Sequence, residues 1–353
     1  MTLRTTVTAL PEYEPFLIGG ERIPRGDRPA RAVIDPATGE QLTTVADATA
    51  ADVDRAVALA VEAHADRRWR GLAPLERSRI LNRVADLIEE QLEELAVLET
   101  RDNGKPIERS RADTAMAART FRHFAGAPSR LGGTVVAVDG GGHHVYTVQE
   151  PVGPVAIILP WNFPIMTAAF KLAPALAAGC PVVAKPAEDT PLTLLRLGGI
   201  LAEAGVPAGT VSILTGDGSV GAALTAHPGI AKITFTGSTE VGRLVAHAAA
   251  DDFDSVASGL RTLASGRAVI DVEGESEIDE EGAWLFLDFE LERMLRERSM
   301  TSGYWTSGYE TYLSFGLVQP ARGQSARVDE ILRRSQWRQR HGLHGEPSLA
   351  TLR

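Results

Sequence analysis

Residues 151–164 read PVGPVAIILPWNFP, residues 180–189 read CPVVAKPAED and residues 233–242 read ITFTGSTEVG. In this stretch short apolar runs alternate with helical segments, a pattern that predicts a parallel sheet with helices on its faces. Parallel sheets bind ligands at the carboxyl ends of their strands, so we expect the functional site where these runs end. The predicted strands span residues 152–159, 181–184, 210–214 and 232–235.

Three motifs in this stretch resemble the coenzyme-binding core of the aldehyde dehydrogenase superfamily. They are PWNFP at 160–164, KPAE at 185–188 and FTGSTEVG at 235–242, in the family's order and spacing. The resemblance begins near Phe16 and ends at about residue 250. It implies an α/β fold with an aldehyde dehydrogenase-like, Rossmann-type parallel sheet and flanking helices. For the non-family C-terminal tail we expect an α+β structure.

The predicted organisation has four parts. Residues 1–131 hold a hairpin around Gly19 and the helices of the coenzyme-binding domain, and residues 132–150 form a β-excursion. Residues 151–250 are the predicted NAD-binding βα core, and residues 251–353 are unassigned. In the family the excursion pairs subunits, so the resemblance implies a homo-oligomer. A surface hairpin is the alternative interpretation of this segment.

The segment before the core is predicted to be mainly helical. Thr49 and Asp52 have the spacing of a capping box, which opens a helix with Val57 and Val61 on its apolar face. Pro74 opens a longer helical region with apolar residues at steps of three and four. The first helix is predicted to end near residue 67, and the longer helical region at residues 103–106. A further helix is predicted from about residue 108 to residue 124.

Composition excludes several classes of protein. The net charge of -10 argues against a general nucleic-acid binder. Residues 152–170 are uncharged, but their three prolines make a membrane span the weaker interpretation. The single cysteine and the absence of a secretory pattern favour a cytoplasmic protein, and we find no metal-binding motif.

Residues 216–221 read GDGSVG, a literal GxGxxG between a predicted strand and a predicted helix. That context is typical of a dinucleotide fingerprint, in which glycine lets the backbone approach a pyrophosphate. The acid expected about twenty residues later is represented only by Glu240, beyond the next strand. Two interpretations stay open: Gly216 and Gly218 shape the adenine side of the site, or they cradle the pyrophosphate directly.

Lys185 and Glu188 are candidates for binding the coenzyme's ribose. The chain has 32 Arg and 4 Lys, so a lysine at a strand end is unusual here. The resemblance assigns both residues to the adenosine ribose, and a carboxylate there would repel a 2′-phosphate, which favours NAD over NADP. The alternative is an exposed ion pair in a strand-to-helix loop.

Asn162 is the candidate catalytic residue, because the family's Asn in this motif donates an N–H to the oxyanion formed on an aldehyde. Alternatively, Asn162 terminates the strand between two prolines. Gly237 and Ser238 lie where a strand gives way to a helix, which suits an anion as well as a plain N-cap. The resemblance places the coenzyme against Leu159, Pro160, Trp161, Phe235, Gly237, Ser238 and Val241.

The family's nucleophile and general base have no counterpart that we find in this sequence. Family members use a Cys thiolate and a Glu-activated water, both in the second half of the family's chain. The lone cysteine, Cys180, lies between a predicted helix and strand of the coenzyme domain and is expected to be a packed small residue. Residues 270–275, IDVEGE, have an acid in a related place but lack the paired glycines and Lys.

Two functions therefore remain open. The first is NAD-linked oxidation of an aldehyde to a carboxylic acid, with a thiol from elsewhere. The second is a non-catalytic NAD-binding or scaffold protein derived from a truncated or rearranged family member. If the second half is missing, exposed apolar faces predict an oligomer or a marginally stable chain.

The tail from residue 251 differs in composition. It contains no Lys, a predicted helix that includes Trp284 and Leu291, and an aromatic run from Tyr304 to Phe315. The aromatic run suits a small core, a cover for the coenzyme domain, or an interface.

Overall fold

The computed structural model describes residues 10–136, 145–251 and 313–318. The chain forms two compact units, residues 1–234 and 235–353. The helices are α1 (Ala50–Ala65), α2 (Pro74–Glu90), α3 (Leu92–Asn103), α4 (Ile107–Ala125), α5 (Pro164–Ala178), α6 (Leu192–Glu203), α7 (Gly218–Thr225) and α8 (Thr239–Asp251). The strands are β1 (Phe16–Ile18), β2 (Glu21–Ile23), β3 (Ala30–Ile34), β4 (Gln41–Ala46), β5 (Val135–Val136), β6 (Val145–Tyr146), β7 (Val155–Ile158), β8 (Val182–Lys185), β9 (Val211–Ile213), β10 (Lys232–Gly237) and β11 (Leu313–Val318).

The central sheet of the first unit confirms the predicted parallel arrangement. Its order is β7-β8-β9-β1-β2, and the β7–β8 and β8–β9 pairs are parallel. The register aligns Ile158 with Lys185, and Ala184 with Ile213, so the three carboxyl ends lie at one edge. The predicted hairpin around Gly19 forms β1 and β2, and β1 adds to the sheet antiparallel to β9.

Close packing of α6 on this sheet depends on a glycine. A Cβ at Gly198 would lie 2.3 Å from Leu17 Cδ1 and 2.5 Å from Ile213 Cδ1. These distances are far below van der Waals contact, so only a residue without a side chain fits there without rearrangement. β7, β8 and β9 are buried along their whole length, as expected for strands covered on both faces.

The helical predictions hold with two corrections. The capping box at Thr49 and Asp52 is present at the start of α1, and Val57 is buried. The placement of Val61 on the buried face is wrong, because its side chain is 42% exposed. The single long helical region predicted from Pro74 is two helices, α2 and α3, which meet at Gln91. The apolar spacing continues through the break between α2 and α3, so the spacing does not reveal the break.

The predicted β-excursion is partly described. β5 and β6 pair antiparallel, with Val135 opposite Tyr146, and both side chains are exposed. The tip of the excursion, residues 137–144, lies outside the described residues, as do the predicted helix with Trp284, most of the aromatic run and the IDVEGE segment. Within the described ranges, no helix has both the length and the apolar character that crossing a membrane requires.

Candidate functional site

The loop after β7 carries Trp161 and Asn162 to the edge of the sheet. Leu159 and Pro160 are buried, and the N–H of Leu159 continues the ladder by donating to the Lys185 carbonyl oxygen at 3.1 Å. The Trp161 side chain is 51% exposed. Asn162 Oδ1 is buried without a hydrogen-bond partner in the described part of the chain. A buried amide oxygen without a partner is costly, which is a common feature of ligand sites.

Lys185 ends β8 and is buried, with 4% of its surface exposed. Its Nζ donates to the Pro186 carbonyl oxygen at 3.0 Å and lies 3.5 Å from Glu188 Oε2. Glu188 is half-buried. The interpretation of this pair as an exposed ion pair is therefore wrong for the lysine: its stem is packed inside the fold and its ammonium faces the loop.

The charges around Lys185 are mixed. Burial lowers the pKa of Lys185, and the carboxylates of Glu188 and Asp217 oppose that effect. The Arg31 guanidinium is paired with Asp47 at 3.1 Å, and it also interacts electrostatically with Glu188. The edge thus presents a buried cation beside carboxylate acceptors, a donor and acceptor set that suits vicinal hydroxyl groups.

Each glycine of the GDGSVG segment has a different structural role. Gly216 has φ +147°, and a Cβ there would lie 2.4 Å from Val220 Cγ2. Gly221 lies on the part of α7 that packs on the lysine, where a Cβ would make an ordinary contact of 3.6 Å with Lys185 Cδ. Gly218 is exposed, and no atom of the described chain lies within 4 Å of a Cβ built on it. Asp217 caps α7 by accepting from the Ser219 N–H at 2.8 Å.

Four predicted site residues belong to the second unit. Phe235 is buried, and a Cβ at Gly237 would lie 2.5 Å from its ring. Ser238 caps α8, because its Oγ accepts from the Val241 N–H at 3.3 Å and its carbonyl oxygen accepts from the Gly242 N–H at 2.9 Å. The N-cap interpretation of Ser238 is confirmed, and the anion interpretation stays a prediction. Val241 is partly exposed.

The first unit brings together Leu159, Pro160, Trp161, Asn162, Lys185 and Glu188 at one sheet edge, with Gly218 opening the helix that packs on Lys185. Residues 103–106, predicted only as a helix stop, also contact this edge. Asn103 Nδ2 donates to the Trp161 carbonyl oxygen at 2.7 Å. Glu99, Asp102 and Lys105 contact the neighbouring helices. The sequence signal that could have predicted these contacts was a carboxylate on the apolar face of α3.

Glu99 and Asp102 are acids in the protein interior. Burial raises the pKa of Glu99, although the Lys105 ammonium at 2.9 Å opposes this. Burial also raises the pKa of Asp102 well above its ordinary value, and hydrogen bonds from the Leu192 and Thr193 backbone oppose it. Among the described residues, no group of three or more His, Cys, Asp or Glu side chains could hold a metal ion.

Cys180 is a packed residue, as predicted. It follows the αL glycine that ends α5, and 3% of its surface is exposed. Burial raises the pKa of its thiol, and the backbone N–H groups of Gly153 and Val152 oppose that effect. A thiol that is buried and held protonated is a poor nucleophile.

Comparisons with known proteins agree with this architecture. Residues 24–261 match the model of the aldehyde dehydrogenase family. The chain is 47% identical over 237 residues to an aldehyde dehydrogenase of Enchytraeus buchholzi, covering 66% of this chain and 48% of that protein. It is 43% identical over 251 residues to DhaS of Bacillus subtilis (strain 168), covering 70% of this chain and 50% of that protein.

A solved structure has a similar fold over a similar share of the chain. Betaine aldehyde dehydrogenase of Staphylococcus aureus, in complex with NAD+, is similar with a TM-score of 0.67 and 36% identity. The match covers 70% of this chain and 49% of that chain. The chain thus spans about half the length of the curated relatives it matches.

Proposed function

Because this chain belongs to the aldehyde dehydrogenase family, we propose that it binds NAD at the carboxyl ends of β7, β8 and β9. The observation that carries the proposal is the position of Lys185, whose buried ammonium lies beside Glu188 at this edge. The NAD complex of the Staphylococcus aureus relative supports the choice of ligand. In this proposal the chain supplies the coenzyme-binding part of an NAD-dependent oxidoreductase that converts an aldehyde to a carboxylic acid.

Four residues of the first unit have proposed roles in binding the coenzyme. Lys185 Nζ donates to a ribose hydroxyl, and Glu188 accepts from the two vicinal hydroxyls. A 2′-phosphate would meet the Glu188 carboxylate, so we propose NAD rather than NADP. The exposed ring of Trp161 packs against the coenzyme, and Gly218 leaves space for close approach to the N-terminus of α7.

Three residues of the second unit have proposed roles of their own. Gly237 and Ser238 precede α8, where backbone N–H groups and the helix dipole favour an anion such as the pyrophosphate. Val241 offers a partly exposed apolar side chain on the first turn of the same helix. A cap position is also an anion position, so the hydrogen bond from Val241 to Ser238 is compatible with this role.

Asn162 is the proposed catalytic residue of the described part. This role for its side-chain N–H comes from the family resemblance. The Oδ1 atom, which has no partner among the described residues, is an acceptor and could only accept from a separate ligand group. An amide N–H beside the reacting carbonyl would stabilise an oxyanion. The bound coenzyme would supply the hydride acceptor.

Cys180 favours a second candidate function. The proposed reaction needs a thiolate, and the one thiol in these 353 residues is buried. Either a thiol from outside these residues serves the reaction, or the protein binds NAD without catalysing turnover, as a scaffold or binding protein. We propose that the 353 residues alone bind NAD and do not oxidise aldehydes.

Calorimetric titration with NAD tests the binding. We expect saturable binding by the wild type and at least about tenfold weaker binding by Lys185→Met, since one lost charge-assisted hydrogen bond costs roughly 1.5–3 kcal/mol. Lys171→Met is the matched control, because Lys171 is also buried and bonds Thr234 instead. Equal losses in both variants would point to general destabilisation rather than a coenzyme contact.

The same protein, given NAD and a panel of aldehydes, tests the catalytic part of the proposal. We expect no increase in absorbance of the reduced coenzyme. Turnover that disappears in Cys180→Ser would contradict the role given to Cys180. Turnover that survives Cys180→Ser would require a mechanism without a thiol from this chain.

A further inference from the structure

We propose that four polar residues at the end of α3 and just beyond it position both coenzyme loops. These residues, Glu99, Asp102, Asn103 and Lys105, are named here the α3 clamp. The coenzyme loops are residues 159–163 after β7 and residues 186–191 after β8. The inference rests on the proposed function, because it assigns a positioning role to residues that do not themselves reach the ligand.

The α3 clamp holds the β7 loop at two points and the start of α5 at a third. Asn103 Nδ2 donates to the Trp161 carbonyl oxygen at 2.7 Å. Lys105 Nζ lies 5.0 Å from the centre of the Phe163 ring, within range of a cation–π interaction. Glu99 Oε2 accepts from the Ile165 N–H at 3.3 Å. The contacts thus flank Asn162 on both sides along the chain.

The same clamp holds the helix that follows the β8 loop. Asp102 Oδ2 accepts from the Leu192 N–H at 2.9 Å, and Glu99 Oε2 accepts from the Thr193 hydroxyl at 2.8 Å. Thr190 Oγ1 also donates to the Trp161 carbonyl oxygen, at 3.3 Å. The Trp161 carbonyl oxygen is therefore shared between α3 and the β8 loop, which ties the two loops to each other.

Helix capping explains why acids of α3 occupy these places. The N-cap residues of α5 and α6 are Phe163 and Pro191, and in the described structure neither makes a side-chain cap. Free N–H groups at the start of a helix need acceptors. Glu99 and Asp102 supply acceptors from a different helix, so the two helix starts are fixed relative to α3 rather than by their own loops.

Lys105 compensates the charge of the buried Glu99 carboxylate. Its Nζ lies 2.9 Å from Glu99 Oε1 and 2.9 Å from Asp113 Oδ2. An unpaired carboxylate with no solvent exposure would be strongly destabilising, so Glu99 and Lys105 act as one unit. Removing either one would disturb folding, and these two residues are unsuitable for a functional test.

Asn103 offers the cleaner test, because it lies near the surface and contacts the backbone of the residue whose side chain faces the coenzyme. Asn103→Asp keeps the shape of the side chain but cannot donate to the Trp161 carbonyl oxygen. A carboxylate would also repel that oxygen and shift the loop. Since binding sites tolerate displacements of only about half an ångström, we expect NAD affinity to fall about tenfold.

The experiment compares calorimetric NAD affinity, thermal midpoint and tryptophan emission for the wild type, Asn103→Asp and Asn82→Asp. Asn82 is a matched control in the middle of α2, because it undergoes the same change of charge. We expect a loss of affinity and a shift in emission for Asn103→Asp beyond any change in Asn82→Asp, and similar midpoints for both variants. If the thermal midpoint of Asn103→Asp falls enough to account for its loss of NAD affinity, Asn103 has a merely structural role, and the inference is overturned.

The outcomes separate this inference from the proposed function. A wild type that binds NAD, with unchanged affinity in Asn103→Asp, would overturn the clamp and leave the proposed function standing. A wild type that does not bind NAD would overturn the proposed function and, with it, the role assigned to the clamp.

Discussion

At the scale of single residues, Asp52 makes the stability of the fold sensitive to acid. Its carboxylate accepts from Arg28 at 2.7 and 2.8 Å and from the Thr49 N–H at 2.8 Å. Burial by itself would raise the pKa of Asp52, but the hydrogen bonds from Arg28 and Thr49 bring it down to about 2. A lowered pKa in the folded state means that the ionised form stabilises the fold.

We therefore expect Asp52 to contribute about 2 kcal/mol to the free energy of unfolding at neutral pH. This contribution is present above the ordinary pKa of 3.8 and is lost as the pH falls towards about 2. Urea unfolding of the wild type and Asp52→Asn at several pH values measures it. The two free energies should converge in acid, whereas exposed Asp27→Asn should stay close to the wild type throughout. A gap between wild type and Asp52→Asn that is constant with pH would contradict the assignment.

Lys185 illustrates what sequence shows and does not show about one residue. Its rarity as a lysine and its expected place at a strand end single it out in the sequence, and the structure places it at the end of β8. Its role in a site stays a prediction. Its burial was not predictable, because α7 packs over the lysine stem near Gly221. That packing is a contact between segments 36 residues apart, which no local pattern records.

At the scale of elements, the neighbouring glycines of α6 have opposite structural requirements. A Cβ at Gly198 would clash with Leu17 and Ile213, whereas one at Gly199 would meet no atom of the described chain within 4 Å. Alanine is a better helix former than glycine by about 1 kcal/mol. Overpacking a core costs about 1–3 kcal/mol.

Gly199→Ala should therefore raise the free energy of unfolding by up to about 1 kcal/mol, and Gly198→Ala should lower it by about 1–2 kcal/mol. Chemical denaturation of both variants and the wild type provides the comparison. The two sites share one helix, so the difference isolates contact with the sheet. Equal effects at both glycines would mean that α6 does not pack on β1 and β9 as described.

The predictions of elements were strongest where periodicity and caps agree. The strands of the parallel sheet and the capping box of α1 were predicted because local signals specify them. The separation of α2 from α3 was not predicted, since no break in the apolar spacing marks it. The strand β4 was not predicted either. The capping of α5 and α6 by α3 was out of reach because Phe163 and Pro191 do not signal a helix start through their side chains.

At the scale of the whole molecule, the family assignment came from three motifs whose order and spacing are specific. The family match covers residues 24–261, close to the predicted span of about 16–250. The four-part domain division and the oligomeric state stay predictions. The exposed side chains of Val135, Tyr146 and Val148 on and beside the β5–β6 hairpin support a proposal that this segment pairs subunits.

Hydrogen–deuterium exchange with and without NAD tests the central claim most directly, because it reports where on the chain the coenzyme acts. We expect NAD to slow amide hydrogen exchange in residues 159–163, in residues 186–191 and at the start of α7. Residues 74–90 of α2 should serve as an internal reference with little change. Unchanged exchange in both coenzyme loops at saturating NAD would contradict the account.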